Sequence, residues 1–118
     1  MEGIITILFL IVVLSIILKM MPVKGVKSIT TKELQALLED EENVFVDVRS
    51  EREYKNLHIP QFKNMPIGAD LTSLPKDKPI IVICQSGIRS NKACRQLVKL
   101  GYTDVTNIRR GMNDFRKS

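Results

Sequence analysis

Residues 79–97, PIIVICQSGIRSNKACRQL, decide the fold and place a cysteine at the end of an apolar run. Ile80–Ile83 is the most apolar run of the chain after the N-terminus, and it stops at Cys84. Small and polar residues follow, and then an amphipathic segment, Ser90–Leu100, with Ala93, Leu97 and Leu100 spaced for one buried helical face. The pattern predicts a buried strand, a tight loop and a helix, with a thiol where the strand ends.

Similar alternations precede and follow this stretch. Strands are predicted at Ser28–Ile29, Val44–Val48, Lys63–Ile67 (as a short edge strand) and Val105–Ile108. Thr30 with Glu33 and Ser50 with Glu53 form two capping boxes that open helices, and a last helical turn is expected over 111–116 with Met112 and Phe115 inward. Strands that alternate with helices predict an α/β fold with a parallel sheet.

The first 21 residues are expected to lie outside this fold. Gly3–Leu18 carries no charge, and a helix of that length measures about 24 Å. A cleaved signal peptide would need a cationic start and small residues at its cut site, and the start is Met1-Glu2-Gly3. A buried core helix would need more protein around it than the remaining chain supplies. We therefore expect a transmembrane anchor over 1–21, a basic linker over 22–27 and a folded domain over 28–118.

Charge sets the expected orientation and excludes one class of partner. Lys19, Lys24 and Lys27 flank the C-terminal end of the apolar segment, so the positive-inside tendency places the folded domain in the cytoplasm, with the membrane contacted through 3–21. The chain has a net charge of +5 but no Lys/Arg run longer than two and few aromatic residues, so nucleic-acid binding is not indicated.

Cysteine and histidine content point away from a metal and toward thiol chemistry. The two cysteines, Cys84 and Cys94, do not have the spacing of zinc ligands, and the single histidine, His58, is remote from both in sequence. A disulfide is not expected in a reducing cytoplasm. No metal or cofactor is predicted.

The loop after Cys84 suits an ionised sulfur. Gly87 permits a positive φ, and the turn through Gln85, Ser86 and Ile88 can aim backbone N–H groups at one point. The helix N-terminus adds partial positive charge and Arg89 a full cation, which favour a thiolate at Cys84 over a thiol. The plain alternative is that Cys84 is a small buried residue at a strand end.

Several ordered motifs now identify a family. CQSGIRSNKACRQLVKLGY resembles the active-site segment of the rhodanese family, which shows Cys-x-x-Gly-x-Arg-Ser followed by a helix. FVDVRSEREYKNLHIPQFKNMPIG and VTNIRRGMNDF are similar to the family's Asp-Val-Arg to His-Ile-Pro series and to its closing Gly-Gly segment. The resemblance implies a five-stranded, mostly parallel sheet with helices on both faces. It also implies sulfur transfer through a persulfide on Cys84, without a cofactor.

The spacing of the loop separates sulfur transfer from related chemistry. Cys84 and Arg89 give a C-x4-R loop, whereas phosphatase and arsenate-reducing relatives of the family have C-x5-R. The longer ring holds a tetrahedral oxyanion and the shorter one suits a single sulfur atom. The chain departs from the family at Leu57, Gln61, Arg110 and Phe115, none of which belongs to the cysteine loop.

Four other residues could have either a structural or a functional role. Asp47 can brace the loop and Arg49 can contact a donor anion. The alternative is a structural ion pair that supports the turn, and for Asp47 that alternative is favoured. For His58 a structural hydrogen bond is favoured over a general-base role. For Cys94 a place in the core is favoured over a resolving thiol.

The sequence therefore favours a membrane-anchored sulfurtransferase. Its partners would be a small sulfur-donor anion such as thiosulfate and a thiol or protein that accepts the sulfur. Two alternatives remain: a non-catalytic rhodanese-like module that binds a partner at the membrane, and a redox sensor that uses the same thiol.

Overall fold

A computed structural model describes residues 1–20 and 23–116. Met21 and Pro22, which belong to the predicted anchor and linker, lie outside the described residues, as do Lys117 and Ser118 of the predicted domain. The helices are α1 (Glu2–Met20), α2 (Thr31–Leu37), α3 (Glu51–Asn56), α4 (Ile88–Lys99) and α5 (Gly111–Phe115), and a 3-10 turn covers Leu71–Ser73. The strands are β1 (Lys27–Ile29), β2 (Val44–Asp47), β3 (Lys63–Asn64), β4 (Ile80–Ile83) and β5 (Val105–Ile108).

The five strands form one sheet in the order β1-β5-β4-β2-β3, and every neighbouring pair is parallel. The expected α/β fold with a five-stranded sheet is confirmed. Because all strands run the same way, their carboxyl ends meet at one edge, where Asp47 of β2 lies beside Ile83 of β4. Residues that follow the strands are thereby brought together.

Both faces of the sheet are covered, and β4 shows why. All four of its side chains are buried. Ile80 and Val82 pack with Leu97 of α4 on one face, whereas Ile81 and Ile83 pack on the other face, against a cluster that includes residues of α2 and α5. Alternate side chains point to opposite faces of a strand, so a continuous apolar run is the pattern that a doubly covered strand requires.

Helix α1 is not covered by the rest of the protein. Glu2–Lys19 has a mean hydropathy of 2.5, and none of that window is buried inside the structure. The helix is long and apolar enough to cross a membrane, a property that signal sequences near an N-terminus share. It contacts helix α4 of the domain.

Some boundaries differ from those predicted. Helix α4 begins at Ile88, two residues earlier than expected, because Gly87 takes a left-handed conformation and ends the loop there. Leu100 was expected to be buried, but it is the C-cap residue of α4 and is 38% exposed. Strand β3 is only Lys63–Asn64, because Pro66 follows closely and lacks an N–H for further pairing.

Candidate active site at the cysteine loop

Cys84 directly follows β4 and lies at the carboxyl edge of the sheet. Its side chain has no exposed surface. The backbone N–H of Gly87 donates a hydrogen bond to Cys84 Sγ over 3.0 Å, and Ser90 Oγ lies 3.2 Å from the same sulfur. Of the several backbone N–H groups that the sequence led us to expect, Gly87 supplies the only one bonded to this sulfur within the described residues.

Gly87 is required by the geometry of the loop. Its φ of +97° lies in the left-handed region, and an added Cβ would come within 3.3 Å of the Arg110 backbone nitrogen. Gly87 is also the N-cap of α4 and provides no side-chain cap. The positive end of this 12-residue helix therefore faces the loop that carries the sulfur.

A second segment, the start of α5, holds the loop from the other side. The N–H groups of Met112 and Asn113 donate to the carbonyl oxygens of Cys84 and Gln85, over 2.9 and 3.0 Å. Gln85 Nε2 also donates to Asn113 Oδ1 over 2.7 Å. A Cβ on Gly111 would lie 2.0 Å from the Cys84 carbonyl oxygen, so only glycine allows this approach.

Arg89 does not offer a free cation to the sulfur, as the sequence suggested. Its guanidinium makes a two-pronged ion pair with Glu53 of α3, with distances of 2.6 Å (Nη1–Oε1) and 3.0 Å (Nη2–Oε2). Hydrogen bonds to Arg89 lower the pKa of Glu53 from 4.5 to about 2. The bond to Glu53 raises the pKa of Arg89, and attraction to a charged Cys84 would contribute to the same rise.

Asp47 and Arg49 form a buried ion pair behind the loop. Arg49 Nη2 donates to Asp47 Oδ2 over 2.9 Å and to the Leu57 carbonyl oxygen over 2.6 Å. Its Nη1 reaches Gln85 Oε1 at 3.4 Å. The Arg49 side chain is only 4% exposed. This geometry favours the structural ion pair over the contact with a donor anion, because burial and these partners leave no open face for an anion.

His58 and Cys94 are placed for structural roles. His58 Nδ1 lies 2.8 Å from the Tyr54 carbonyl oxygen, and the two rings stack with centroids 3.8 Å apart. Cys94 is fully buried in the cluster that contains Cys84. Burial raises the pKa of the Cys94 thiol to about 12, and charge at Cys84 contributes to the rise. Cys94 is therefore a poor nucleophile.

A cleft of ≈ 380 Å³ opens beside the loop. Its lining includes Ser86, Gly87, Ile88, Asn107, Arg109 and Arg110. Arg110 takes a φ of +60°, which a glycine would adopt more easily, and pairs with Asp114 at 3.2 Å. Arg109 makes no salt bridge within the described residues, so it provides a cation at the cleft that an anion could reach.

Of the predicted loop, Cys84–Arg89, only Gly87 bonds to the Cys84 sulfur within the described residues, whereas Gln85 contacts Arg49 of the Asp47–Arg49 pair and Arg89 contacts Glu53. Sequence reasoning missed four residues of the candidate site: Ser90, Glu53 and Gly111, through their contacts, and Arg109, through its place in the cleft lining. The capping box at Glu53 was visible, but nothing local in the sequence shows that the same carboxylate pairs with Arg89. Among the described residues no group of three or more His, Cys, Asp or Glu side chains could hold a metal ion.

Comparison with known proteins decides the family. The sequence model of the rhodanese-like domain matches residues 30–118. The chain belongs to the rhodanese-like family. Its rhodanese-like domain is 35% identical over 91 residues to a sulfurtransferase of Allochromatium vinosum, a match that covers 74% of this chain and 85% of that protein.

Other relatives carry the domain in different settings. The crystal structure of a rhodanese-like domain protein from Staphylococcus aureus is similar, with a TM-score of 0.67, 35% identity, and coverage of 75% of this chain and 90% of the other. A tRNA uridine(34) hydroxylase of Erwinia tasmaniensis is 35% identical over 94 residues, which cover 72% of this chain but only 27% of that enzyme. The domain is therefore shared by proteins of different activity.

Proposed function

We propose that this protein is a membrane-anchored sulfurtransferase that forms a persulfide on Cys84 and passes the sulfur to a thiol or protein acceptor. One observation carries the proposal: Cys84 Sγ accepts the Gly87 N–H over 3.0 Å inside a loop of C-x4-R spacing at the carboxyl edge of the sheet. The sulfurtransferase among its relatives supports the same class of reaction.

The proposed reaction needs only a thiolate and an activated sulfur. The Cys84 thiolate attacks the outer sulfur of a donor such as thiosulfate. A bond forms between Sγ and that sulfur, the S–S bond of the donor breaks, and sulfite leaves with the electron pair. An acceptor thiolate, or cyanide in an assay, then attacks the terminal sulfur and regenerates the Cys84 thiolate. No electron is lost to an external oxidant, so no redox cofactor is needed.

The loop supplies donors for a negatively charged sulfur. The Gly87 N–H donates to Sγ over 3.0 Å, the Ser90 hydroxyl lies 3.2 Å from it, and α4 begins at the next residue after Gly87, so all three can stabilise negative charge at this sulfur. Arg109 at the cleft would attract the donor anion. Because Cys84 is fully buried, the donor reaches Sγ only when the loop opens, which makes loop motion a part of turnover.

Loop length supports sulfur transfer over phosphate hydrolysis. The ring from Cys84 to Arg89 holds four residues between the two, and Arg89 is paired with Glu53 instead of facing the loop interior. A phosphoryl group would need that guanidinium and more space. Turnover of p-nitrophenyl phosphate that depends on Cys84 would reverse this ranking.

We also propose that α1 anchors the protein in the cell membrane as a single span over 3–21, with the domain over 28–118 in the cytoplasm. The length and hydropathy of Glu2–Lys19 support a span, and the exposure of its apolar side chains requires lipid or protein around it. An anchor would raise the local concentration of the domain near acceptors at the same membrane.

The test is a thiosulfate-to-cyanide sulfur transfer assay on the full chain in mild detergent. We expect thiocyanate formation to vanish in Cys84→Ser and to persist in the matched control Cys94→Ala. Incubation with thiosulfate alone should add one sulfur to the intact mass of the wild-type chain and none to Cys84→Ser. Equal activity in wild type and Cys84→Ser would remove the enzyme assignment.

The two alternatives give different results in the same experiment. A partner-binding module without activity would form no persulfide at Cys84. A redox sensor would form a sulfenic acid with peroxide but would not transfer sulfur from thiosulfate to cyanide.

A further inference from the structure

Helix α4 carries a basic stripe on its outer face. Lys92, Arg95 and Lys99 are all exposed, and their spacing of three and four residues places them on one side of the helix. Lys92 and Lys99 lie about 10 Å apart along the axis. The opposite face of the helix packs on the sheet through Ala93, Cys94 and Leu97.

The charges of the basic stripe are not neutralised locally. Helix α4 contains no Asp or Glu, and none of the three side chains makes a salt bridge to any described residue. Some other cations of the domain are paired, as Lys27 is with Asp104 and Lys55 is with Glu51. A cluster of unpaired cations repels itself and is stabilised when an anionic surface approaches.

The basic stripe lies next to the C-terminal end of α1. Asn91, the residue before Lys92, donates its Nδ2 to the Lys19 carbonyl oxygen over 3.2 Å. Asn107 of β5 donates to Asn91 Oδ1 over 2.7 Å and so holds that amide in place. Arg95 borders a shallow groove together with residues of α1 from Ile11 to Lys19.

We propose that the basic stripe of α4 binds anionic phospholipid headgroups of the bilayer that α1 spans. The inference rests on the proposed anchor. When Lys19 lies at the headgroup level, its contact with Asn91 brings the first turn of α4 to that level too. Three unpaired cations beside an apolar span match the negative surface of a cytoplasmic leaflet, and their long stems can extend toward it.

This contact would orient the active site. The cysteine loop leads directly into α4, and only seven residues lie between Cys84 and Lys92. A helix fixed on the headgroups therefore holds the loop close to the bilayer surface instead of letting the domain swing on its linker. The sulfur acceptor favoured by this geometry is one that is itself bound to the membrane.

The test uses the full chain in lipid nanodiscs made either of phosphatidylcholine or of phosphatidylcholine with phosphatidylglycerol. Lysines are acetylated briefly and the modified fraction of each is measured by mass spectrometry. We expect labelling of Lys92 and Lys99 to fall about fivefold in the anionic discs and to recover in about 0.5 M salt, which screens the contact. Lys32 and Lys63, which are exposed elsewhere, should label equally in both discs.

A pair of matched variants makes the test specific. Arg95→Gln removes one charge of the basic stripe, so the protection of Lys92 and Lys99 in anionic discs should weaken. Arg52→Gln removes an exposed charge from α3 and should leave that protection unchanged. Both variants should keep wild-type sulfur transfer in detergent, since neither residue contacts the loop sulfur.

Equal labelling of Lys92 and Lys99 in the two kinds of disc would overturn the proposal, as would protection that persists in high salt. It would also be overturned if tRNA without lipid protected these lysines as well as anionic discs do, because the surface would then bind nucleic acid. Failure of the proposed anchor is detected by a different measurement, since alkaline carbonate would then release the chain from the bilayer. The labelling of Lys92 and Lys99 in the two kinds of disc can be measured whether or not α1 spans the bilayer.

Discussion

At the scale of single residues, the cysteine loop depends on a close approach that only glycine permits. The Gly111 Cα faces the Cys84 carbonyl, so any larger residue must push the loop away from α5. The hydrogen bonds from Met112 and Asn113 to the loop would be lost in the same movement. The position of the reactive sulfur therefore depends on a residue 27 positions later in the chain.

Gly111→Ala should destabilise the protein by about 3 kcal/mol and abolish sulfur transfer, since its Cβ would lie 2.0 Å from a backbone oxygen. The matched control is Gly68→Ala, where φ is +98° but nothing lies within 4 Å, and a loss of about 1 kcal/mol from backbone strain alone is expected. Urea unfolding of the full chain in detergent gives both values. Equal losses in the two variants would show that the contact with Cys84 is unimportant.

Cys94 should remain reduced when Cys84 is oxidised. Burial raises the pKa of the Cys94 thiol to about 12, so the thiol stays protonated near neutral pH, and the thiolate is the nucleophile that disulfide formation needs. Brief treatment with peroxide should therefore give a sulfenic acid on Cys84 that dimedone traps. A cross-link between Cys84 and Cys94 in non-reduced peptides would instead identify Cys94 as a resolving thiol.

At the scale of secondary-structure elements, Glu53 joins two parts of the site. Its carboxylate closes the capping box of α3 with Ser50 and also binds Arg89 at the start of α4. The pair lies at the surface, with about a third of each side chain exposed, so solvent reduces its contribution to about 1 kcal/mol.

This ion pair predicts a defined pH dependence. The pKa of Glu53 is lowered in the folded state, so its stabilising contribution is complete above pH 4.5 and is lost as the pH falls toward 2. Glu53→Gln keeps a side chain that can close the capping box but removes the charge. The difference in unfolding free energy between wild type and this variant should be about 1 kcal/mol at pH 7 and close to zero at pH 2.

Glu51→Gln is the control for that measurement, because its pair with Lys55 is highly exposed and should contribute little at any pH. A difference for Glu53→Gln that stays constant from pH 7 to pH 2 would contradict the role of the ion pair.

Elements that local patterns encode were predicted well. The two capping boxes, at Thr30 and Ser50, are present, and the apolar run Ile80–Ile83 is the buried strand that its composition indicated. Boundaries set by contacts from elsewhere were predicted less well. The start of α4 follows from the left-handed Gly87, and the exposure of Leu100 follows from the end of the helix one residue earlier.

The candidate site was predicted in part for the same reason. The loop from Cys84 to Arg89 is contiguous, so its composition and its similarity to the rhodanese family reveal it. The partners of the loop are distant in sequence: Glu53 lies 36 residues before Arg89, and Gly111 meets Cys84 across the sheet edge. Among 13 acidic and 18 basic residues, composition does not show which carboxylate meets which cation.

At the scale of the whole molecule, the proposed anchor α1 would determine where the proposed reaction takes place. The full chain should stay with membranes after alkaline carbonate extraction. Leu10→Asp combined with Leu14→Asp should release it, because each carboxylate costs about 3 kcal/mol near the centre of a span. Intact-mass measurement of the membrane-bound chain should find the N-terminal segment still attached, and a shortened chain would identify a signal sequence instead.

The orientation of the domain across the membrane is tested by protease digestion. External protease should spare the domain in spheroplasts and digest it in inverted vesicles. The reverse pattern would place the domain outside the cytoplasm, where the basic stripe of α4 would face a different leaflet.

The short outermost strand would have a consequence for the proposed membrane-anchored protein. Confinement in two dimensions brings copies together often, and an open row of unpaired backbone groups would invite strand addition between neighbours. Strand β3 offers only Lys63 and Asn64, with prolines close by at 60 and 66, and the Asn64 side chain donates back to the Asp47 and Arg49 carbonyls. That margin of the sheet gives an incoming chain almost nothing to extend, which protects crowded copies from aggregation.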